Sequence, residues 1–312
     1  MKAMLYHGYG GSEVLHYEEV ERPAPGAGQV LVKVTATSFN PVDAGIRGGH
    51  LTDAFPIGLP HVPGIDVAGT IAELGDGVTG WRVGDAVVGM LPMLADGAAA
   101  EYVLAPAEVL AAAPRTVALA DAAALPLVGL TAWQALFDVA ALQAGQTILI
   151  NGAGGAVGGY AVQLAKQAAA VVTATASPRS ADRVRGYGAD QIIDYIDYTA
   201  TPITVDGQPF DVVLNLVSTS PQETAALIGL LNDGGIHVGT MTSGPENPPP
   251  AVRTVRVFVH SDAAQLAQLV SRVDAGQLRI DVADRRPLTD LAAVHDDADA
   301  GHLPGKTIVI PG

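Results

Sequence analysis

"TILINGAGGAVGGYAVQLAKQ", residues 147–167, runs from an apolar, β-branched segment through a cluster of glycines into a stretch with helical spacing. A strand that is apolar on every position, followed at once by a helix, is the unit of a parallel sheet covered on both faces. The turn between them offers backbone N–H groups and the positive end of a helix dipole, the combination that holds a phosphate. Gly152, Gly155 and Gly158 are spaced G-x-x-G-x-x-G, with Val157 where the commoner G-x-G-x-x-G has its third glycine. In this arrangement Gly152 permits the tight turn, Gly155 admits a pyrophosphate close to the backbone, and Gly158 lets the helix pack on the strand. The turn is therefore expected to bind a dinucleotide.

The alternation continues downstream. "AVVTATA", "QIID", "FDVVLNLV" and "GIHVGT" read as strands, with "SADRVRGYG" and "PQETAALIGLL" as intervening helices and "RTVRVFVHS" as a sixth strand. The predicted fold class is α/β, a doubly wound parallel sheet. "GPENPPPA", residues 244–251, reads as a rigid Pro-rich connection, and the remainder as one helix, some strands and the final strand "GKTIVIPG". Upstream, short runs such as "VLVKVTA", "VAGTIAEL", "DAVVGM" and "AEYVLAP" between Gly/Pro turns indicate a β-barrel or sandwich. A chain of 312 residues is long enough for two such domains.

Thirty-two acidic against 17 basic residues give a net charge of −15, which repels nucleic acid and anionic membranes. Residues 139–165 carry no charge, but glycines and amides interrupt them, as a buried strand and helix would. The N-terminus shows no apolar segment of signal-peptide length, so a soluble, cytoplasmic protein is expected. There is no cysteine, and the eight histidines form neither H-x-H nor H-E-x-x-H spacing. Thiolate chemistry is excluded and no metal site is expected.

The second strand selects the dinucleotide. An NAD site usually ends that strand with Asp or Glu, which holds the ribose 2′-hydroxyl. Here it ends "TATASPRSADR", whose first acid, Asp182, is already inside the next helix. Ser177 and Arg179, with Arg183 one turn on, instead suit a 2′-phosphate, because a guanidinium fork pairs with phosphate oxygens. NADPH is the expected cofactor. Arg185 reads as part of the solvated helix face.

With "NPVDAGIRGG", "GIDVAGTIAELGDGVTGWRVGDAVVG", "GLTAWQAL", "GAGGAVG" and "GKTIVI" in this order, the chain resembles the zinc-free, ζ-crystallin-like quinone oxidoreductases of the medium-chain dehydrogenase/reductase superfamily. The resemblance implies a GroES-like β-barrel catalytic domain from residues 1–121 and 262–312, and a Rossmann NADPH-binding domain over residues 122–261. It also implies a homodimer joined through edge strands, here the one containing Val257 and Phe258. Zinc-dependent relatives carry cysteine at the position of Asn40 and His-Glu at Ile65-Asp66. The family pattern places Asn40 and Asp43, the candidate catalytic pair, beside the nicotinamide ribose, Thr131 near the carboxamide, and the turn Gly154, Gly155, Ala156 and Val157 on the pyrophosphate. It puts Ser177, a basic residue near Arg179, and Tyr195 around the 2′-phosphate, with Val217, Thr240 and Phe258 on strand ends facing the cofactor. Asn215 stands where relatives have Asp. Lys306 matches the family, and a surface lysine opening a strand accounts for it equally well.

Without zinc, hydride transfer suits an apolar, electron-poor acceptor that spreads charge by itself, a quinone, enal or enone. Asn40 is the nearest candidate to hydrogen-bond the developing oxyanion; Tyr6 and solvent are candidate proton donors. Leu51, Phe55, Ile57, Met90 and Met93 are candidate cleft walls. The alternatives are an enoyl-thioester reductase, or a non-catalytic NADPH-binding protein.

Overall fold

A computed structural model describes residues 1–200, 202–245, 249 and 251–312. Its chain divides into one unit of Met1–Leu127 with Ser261–Gly312 and a second of Val128–His260. The first division lies inside the helix Pro126–Trp133, a few residues beyond the expected 121/122. The second precedes the expected 261/262 by one residue.

The second unit is built on a six-stranded sheet in the order Gln191–Ile193, Val171–Thr175, Thr147–Asn151, Phe210–Asn215, Leu231–Gly239, Arg253–Arg256. All five pairings are parallel. The order reverses beside Thr147–Asn151, and in open α/β sheets such a switch point opens a crevice at the carboxyl ends of the strands. Ile148, Leu149, Ile150, Val213 and Leu214 are buried to 1% exposure or less, which is why these strands are uninterrupted apolar runs. The helices Ala156–Gln167, Pro178–Gly186 and Pro221–Ile228 follow the first, second and fourth strands in chain order. Ser220 caps the last of them, its hydroxyl accepting from the Glu223 N–H while the Glu223 carboxylate accepts from the Ser220 N–H, a reciprocal arrangement that starts a helix sharply.

Two strand predictions needed correction. The fifth begins at Leu231, earlier than "GIHVGT" suggested, because the "NDGG" glycines are tolerated in an exposed strand start. The sixth ends at Arg256. Val257 and Phe258 therefore lie just past the edge strand, Val257 buried with its N–H still bonded to Gly239 O at 2.9 Å, and Phe258 exposed. Residues 246–248 and 250 of the Pro-rich connection lie outside the described residues.

The first unit centres on a seven-stranded sheet ordered Asp284–Pro287, Thr307–Ile310, Gln29–Ser38, Asp66–Leu74, Ala86–Met90, Leu110–Ala112, with Tyr102–Pro106 also paired to Gln29–Ser38. Val30, Val32, Val34, Val67, Ile71, Val87 and Val103 fill its interior. The last strand joins the third through Ile308 opposite Ser38 and Val309 opposite Thr37, so both chain ends build this sheet. The C-terminal segment holds two helices, Ala263–Asp274 and Leu291–Asp299, where the sequence suggested one. "LAAVHDDAD" is short and acidic, and its apolar face is too narrow to announce itself. Among the described residues, no helix is long and apolar enough to cross a membrane.

Candidate active site

The glycine turn sits on a polar floor. Gly152 has φ +93°, a region that L side chains avoid, and a Cβ there would lie 2.8 Å from Val217 Cγ1. Its N–H donates to Thr175 Oγ1 at 2.8 Å, and the Thr175 hydroxyl donates to Asn151 Oδ1 at 3.1 Å. The Asn151 amide donates in turn to Asn215 Oδ1 at 2.9 Å and Tyr198 Oη at 3.2 Å. Asn215, wholly buried, completes the floor by donating to Val217 O and Thr219 Oγ1. It thus ties the ends of two neighbouring strands together, a role that needs an amide, with both donor and acceptor, and that a carboxylate could not fill alone.

Above the floor, Gly155 precedes the helix Ala156–Gln167 and its N–H bonds Gly152 O at 3.1 Å. The N–H groups of Ala156, Val157 and Gly158, in the first turn of that helix, have no intrahelical partner and form the anion cradle. A Cβ on Gly158 would lie 2.5 Å from Ala153 Cα and 2.6 Å from Gly152 O. A Cβ on Gly154 would lie 2.5 Å from Ser180 Oγ. The turn thus has no room for side chains at these positions, as the close approach of a pyrophosphate to backbone N–H groups requires.

The 2′-phosphate candidates divide. Ser177 occupies the N-cap position of the helix Pro178–Gly186, its Oγ lying 3.3 Å from Ser180 Oγ and not on a helix N–H. Arg179 is exposed in the first turn of that helix. Arg183 donates from Nη2 to Gly154 O at 2.6 Å, bracing the phosphate turn. Arg185 pairs with Asp182 on the surface. Tyr195 is exposed just after the strand Gln191–Ile193. Val217 is exposed beside Gly152, and the Thr240 N–H bonds Asn215 O at 3.1 Å, so both stand at the strand ends. Phe258 lies under the Arg256 guanidinium, 4.7 Å from the ring centroid. Thr131 is buried in the helix Pro126–Trp133.

In the first unit, Asn40 precedes the helix Pro41–Arg47, whose N1 proline fixes its start. The Asn40 side chain is 1% exposed and fully committed. Its Oδ1 accepts from Lys306 Nζ at 2.6 Å, and its Nδ2 donates to Asp66 Oδ2 at 2.9 Å and Ser38 O at 3.4 Å. No amide hydrogen remains for a substrate oxygen, so the expected oxyanion role of Asn40 is replaced by a scaffolding one. Lys306 is buried, correcting the surface reading. Its ammonium has three acceptors for three protons, Phe39 O, Asn40 Oδ1 and Asp66 Oδ2. Burial pushes its pKa down from the usual lysine value, against the pull of Asp66 and Asp43. Asp66 also accepts from Ser38 Oγ and, through Oδ1, from the Leu127 N–H at 2.7 Å. Sequence reading missed Ser38 and Asp66; the only signal was a carboxylate opening an apolar strand in "GIDVAG".

Asp43 accepts from the Asn40 N–H at 2.9 Å and the Gly64 N–H at 3.3 Å. Burial raises its pKa to about 7 in spite of these bonds. It helps to line a narrow cleft, with free space of about 10 Å³, together with Tyr6, His61, Ile65, Leu91 and Met93. Of the five expected wall residues, Met93 lines it and Leu51, Phe55, Ile57 and Met90 do not.

These residues do not fit a catalytic zinc. The positions in question are Asn40, Ile65 and Asp66, whose side chains are an amide bound to Lys306, an alkyl group, and a carboxylate with both oxygens hydrogen-bonded. Among the described residues, no group of three or more His, Asp or Glu side chains is arranged to hold a metal.

Comparison with known proteins agrees with this architecture. Residues 26–115 match the alcohol dehydrogenase GroES-like domain, and residues 187–309 the family model described as zinc-binding dehydrogenase. The chain is 34% identical to an Arabidopsis thaliana chloroplast envelope quinone oxidoreductase homolog, over all of this chain and 98% of that protein. It is also 34% identical to an NADPH-dependent alkenal/one oxidoreductase of the same plant, over all of this chain and 80% of that one. The solved structure of the quinone oxidoreductase from Coxiella burnetii superposes with a TM-score of 0.87 at 29% identity, over 99% of both chains.

Proposed function

Because the chain belongs to the quinone oxidoreductase-like group of the medium-chain dehydrogenase/reductase superfamily, we propose that it is an NADPH-dependent reductase of quinones or α,β-unsaturated carbonyls. The observation that carries this reading is the pairing of two features. A phosphate turn is followed by Ser177 and Arg179 in place of a carboxylate, and the zinc positions are converted into the Asn40–Asp66–Lys306 network.

When bound, NADPH supplies a hydride. The chain's own contribution is binding, orientation and exclusion of water. The N–H groups of Ala156, Val157 and Gly158 take the pyrophosphate, Arg183 braces their turn through Gly154 O, and Arg179 with Ser177 takes the 2′-phosphate. Lys306 and Asp66 hold the Asn40 side chain, Lys306 also holds the Phe39 carbonyl, and the Asn40 N–H in turn holds Asp43 at the cleft. An acceptor that delocalises the incoming pair needs no Lewis acid, whereas an isolated ketone would need several kcal/mol of oxyanion stabilisation.

The experiment is an initial-rate panel of NADPH oxidation with 9,10-phenanthrenequinone, 1,4-benzoquinone, 2-hexenal and crotonyl-CoA, with ethanol and NADP⁺ as the reverse test. Turnover is expected with quinones or the enal, unchanged after exhaustive chelation. Ethanol oxidation outpacing every conjugated acceptor, or activity lost on chelation and restored by zinc, would refute the proposal. Crotonyl-CoA as the best acceptor would favour the enoyl-thioester alternative. Tight NADPH binding with no turnover would favour the non-catalytic one. The edge strand Arg253–Arg256 and the exposed Phe258 beside it support a homodimer, which sedimentation would detect. The charge of −15 supports a cytoplasmic protein free of anionic membranes, which cell fractionation would check.

A further inference from the structure

The hydrogen bonds under the glycine turn run head to tail. The Gly152 N–H donates to Thr175 Oγ1, the Thr175 hydroxyl to Asn151 Oδ1, and the Asn151 amide to Asn215 Oδ1. The Asn215 amide then donates to Thr219 Oγ1 at 3.0 Å, the Thr219 hydroxyl to Thr224 Oγ1 at 2.8 Å, and the Thr224 hydroxyl to Ser220 O at 3.0 Å. The last bond fixes the direction of those before it. Thr224 spends its one proton on a carbonyl, so Thr219 gives its own to Thr224 and can only accept from residue 215. The second Asn215 proton goes to Val217 O at 3.1 Å, another acceptor. Position 215 therefore faces two acceptors and, through Asn151, one donor. An amide meets all three demands, whereas a carboxylate meets one. Bonds aligned in this way polarise one another and act as a unit.

The chain of bonds begins at the residue on which the phosphate turn pivots. Gly152 holds φ +93°, and Val217 Cγ1 lies 2.8 Å from where its Cβ would be. The Leu216 N–H bonds Asn151 O at 2.9 Å, and the Thr219 N–H bonds Thr242 Oγ1 at 3.2 Å. Segment 216–219 is thus the wall against which Gly152 turns, and the Asn215 amide holds that wall from below. We propose that Asn215 is a positioning residue for the cofactor's pyrophosphate, keeping the phosphate turn in its binding shape through this one-directional chain of hydrogen bonds. The inference rests on the nucleotide reading of the turn and is independent of the acceptor. Asn215 is wholly buried, so it acts through the turn and not on the nucleotide. Three titratable groups surround it. Tyr198 Oη accepts the other Asn151 proton, the Glu223 carboxylate accepts from the Ser220 N–H, and His237 lies on the neighbouring strand, two positions before the Gly239 that pairs with Asn215. Burial raises the pKa of Tyr198 and lowers that of His237 to about 4, so both stay neutral around the chain near neutral pH.

Asn215→Asp keeps the shape and sets ionised oxygens against Val217 O and Thr219 Oγ1. Burial raises the pKa of such a carboxyl, and once protonated it can again donate to Thr219. Calorimetric titration with NADP⁺, which withstands acid, reads the effect as a ratio to the unsubstituted protein, so that ionisation of Glu223 and of the 2′-phosphate cancels. The affinity of Asn215→Asp should be roughly tenfold lower at about pH 8 and should approach that of the unsubstituted protein at about pH 5.5. Thr224→Val supplies a second arm. It removes the acceptor of the Thr219 proton, which is then free to turn towards residue 215. With Asn215 in place it should leave NADP⁺ affinity equal or lower; with Asn215→Asp it should raise it at about pH 8. Lost packing alone does not produce such a reversal of sign. An Asn215→Asp protein that unfolds by itself and folds with Thr224→Val supports the inference equally, and one that unfolds in both backgrounds overturns it. Affinity equal to that of the unsubstituted protein at about pH 8, a loss that does not change with pH, or a Thr224→Val effect of the same sign in both backgrounds overturns it and leaves the nucleotide reading in place. No binding of NADP⁺ by the unsubstituted protein at any pH removes that reading, and this inference with it.

Discussion

Lys306 Nζ lies 3.4 Å from Asp66 Oδ2, joining residues 240 positions apart in the sequence, and both side chains are out of water. The ion pair is not left to Coulomb attraction alone, since every ammonium proton and both carboxylate oxygens have hydrogen-bond partners. A buried pair of this kind is costly to break from one side, because the remaining charge is stranded.

Lys306→Met should therefore lower the free energy of unfolding by about 3–5 kcal/mol. Lys306→Met combined with Asp66→Asn should lose less than the two single changes together, because neither leaves a stranded charge in the presence of the other. Denaturant unfolding of the four proteins completes the cycle. Additive losses would show that the two side chains do not act as a pair.

The two arginines of the helix Pro178–Gly186 should separate by cofactor. Arg179→Ala should weaken NADPH binding by roughly tenfold to a hundredfold, the loss of one charge-assisted phosphate contact, and leave NADH binding unchanged. Arg183→Ala should weaken both cofactors alike, because Arg183 supports the phosphate turn through Gly154 O. Calorimetric titration of both nucleotides into each variant decides this. A selective loss of NADPH affinity in Arg183→Ala would reverse the assignment.

Gly158→Ala inverts a familiar rule. Alanine in a helix usually gains about 1 kcal/mol over glycine. Here the added carbon would meet backbone atoms at 2.5 and 2.6 Å, and backbone cannot step aside as a flexible side chain can. A net loss of about 1–3 kcal/mol is expected, together with weaker binding of both nucleotides as the helix start is pushed off the turn. Thermal unfolding with and without NADPH measures both effects, and a raised Tm would contradict the packing argument.

Acid should destabilise the protein through His237. This imidazole is wholly buried on the strand Leu231–Gly239 with neither nitrogen bonded, and burial pushes its pKa down from 6.5 to about 4. The unfolded chain takes up a proton below pH 6.5 that the folded one refuses until about pH 4. The stability due to the neutral ring is thus complete above the first value and is lost as pH falls towards the second. Between pH 6.5 and 5 the loss should be on the order of 2 kcal/mol. His237→Leu should flatten that part of the stability–pH curve. An unaltered slope would mean that other groups, such as His295, whose pKa burial lowers to about 3, carry the effect.

The parallel sheet and its glycine turn were legible because period and composition speak locally: "TILIN" can hardly be anything but a buried strand, and Gly152 needs its positive φ wherever the chain goes. The roles of Asn40, Lys306 and Arg183 were not. Each depends on a partner distant in sequence, Lys306 on Phe39 O, Asn40 and Asp66, and Arg183 on a carbonyl 29 residues away. A lysine between a glycine and an apolar strand looks the same on a surface and in a core until the groups that would neutralise it are placed.

The sheet that uses both chain ends also sets an order of events during synthesis. The strand Gln29–Ser38 leaves the ribosome early, yet its pairing at Thr37 and Ser38 waits for Ile308 and Val309, nearly the whole length of the message later. The unit Val128–His260 is contiguous and can close while the chain is still growing, as domains commonly do. Until the final segment emerges, Asp66 has no cation, and the flank of the strand Gln29–Ser38 is an open edge of the kind that recruits foreign strands. The nascent protein therefore passes through a stage in which the unit Val128–His260 is built and the unit that needs both chain ends is not. For this molecule a stalled or shortened translation product is a half-folded one with an adhesive margin, and the last turn of synthesis is the step that seals it.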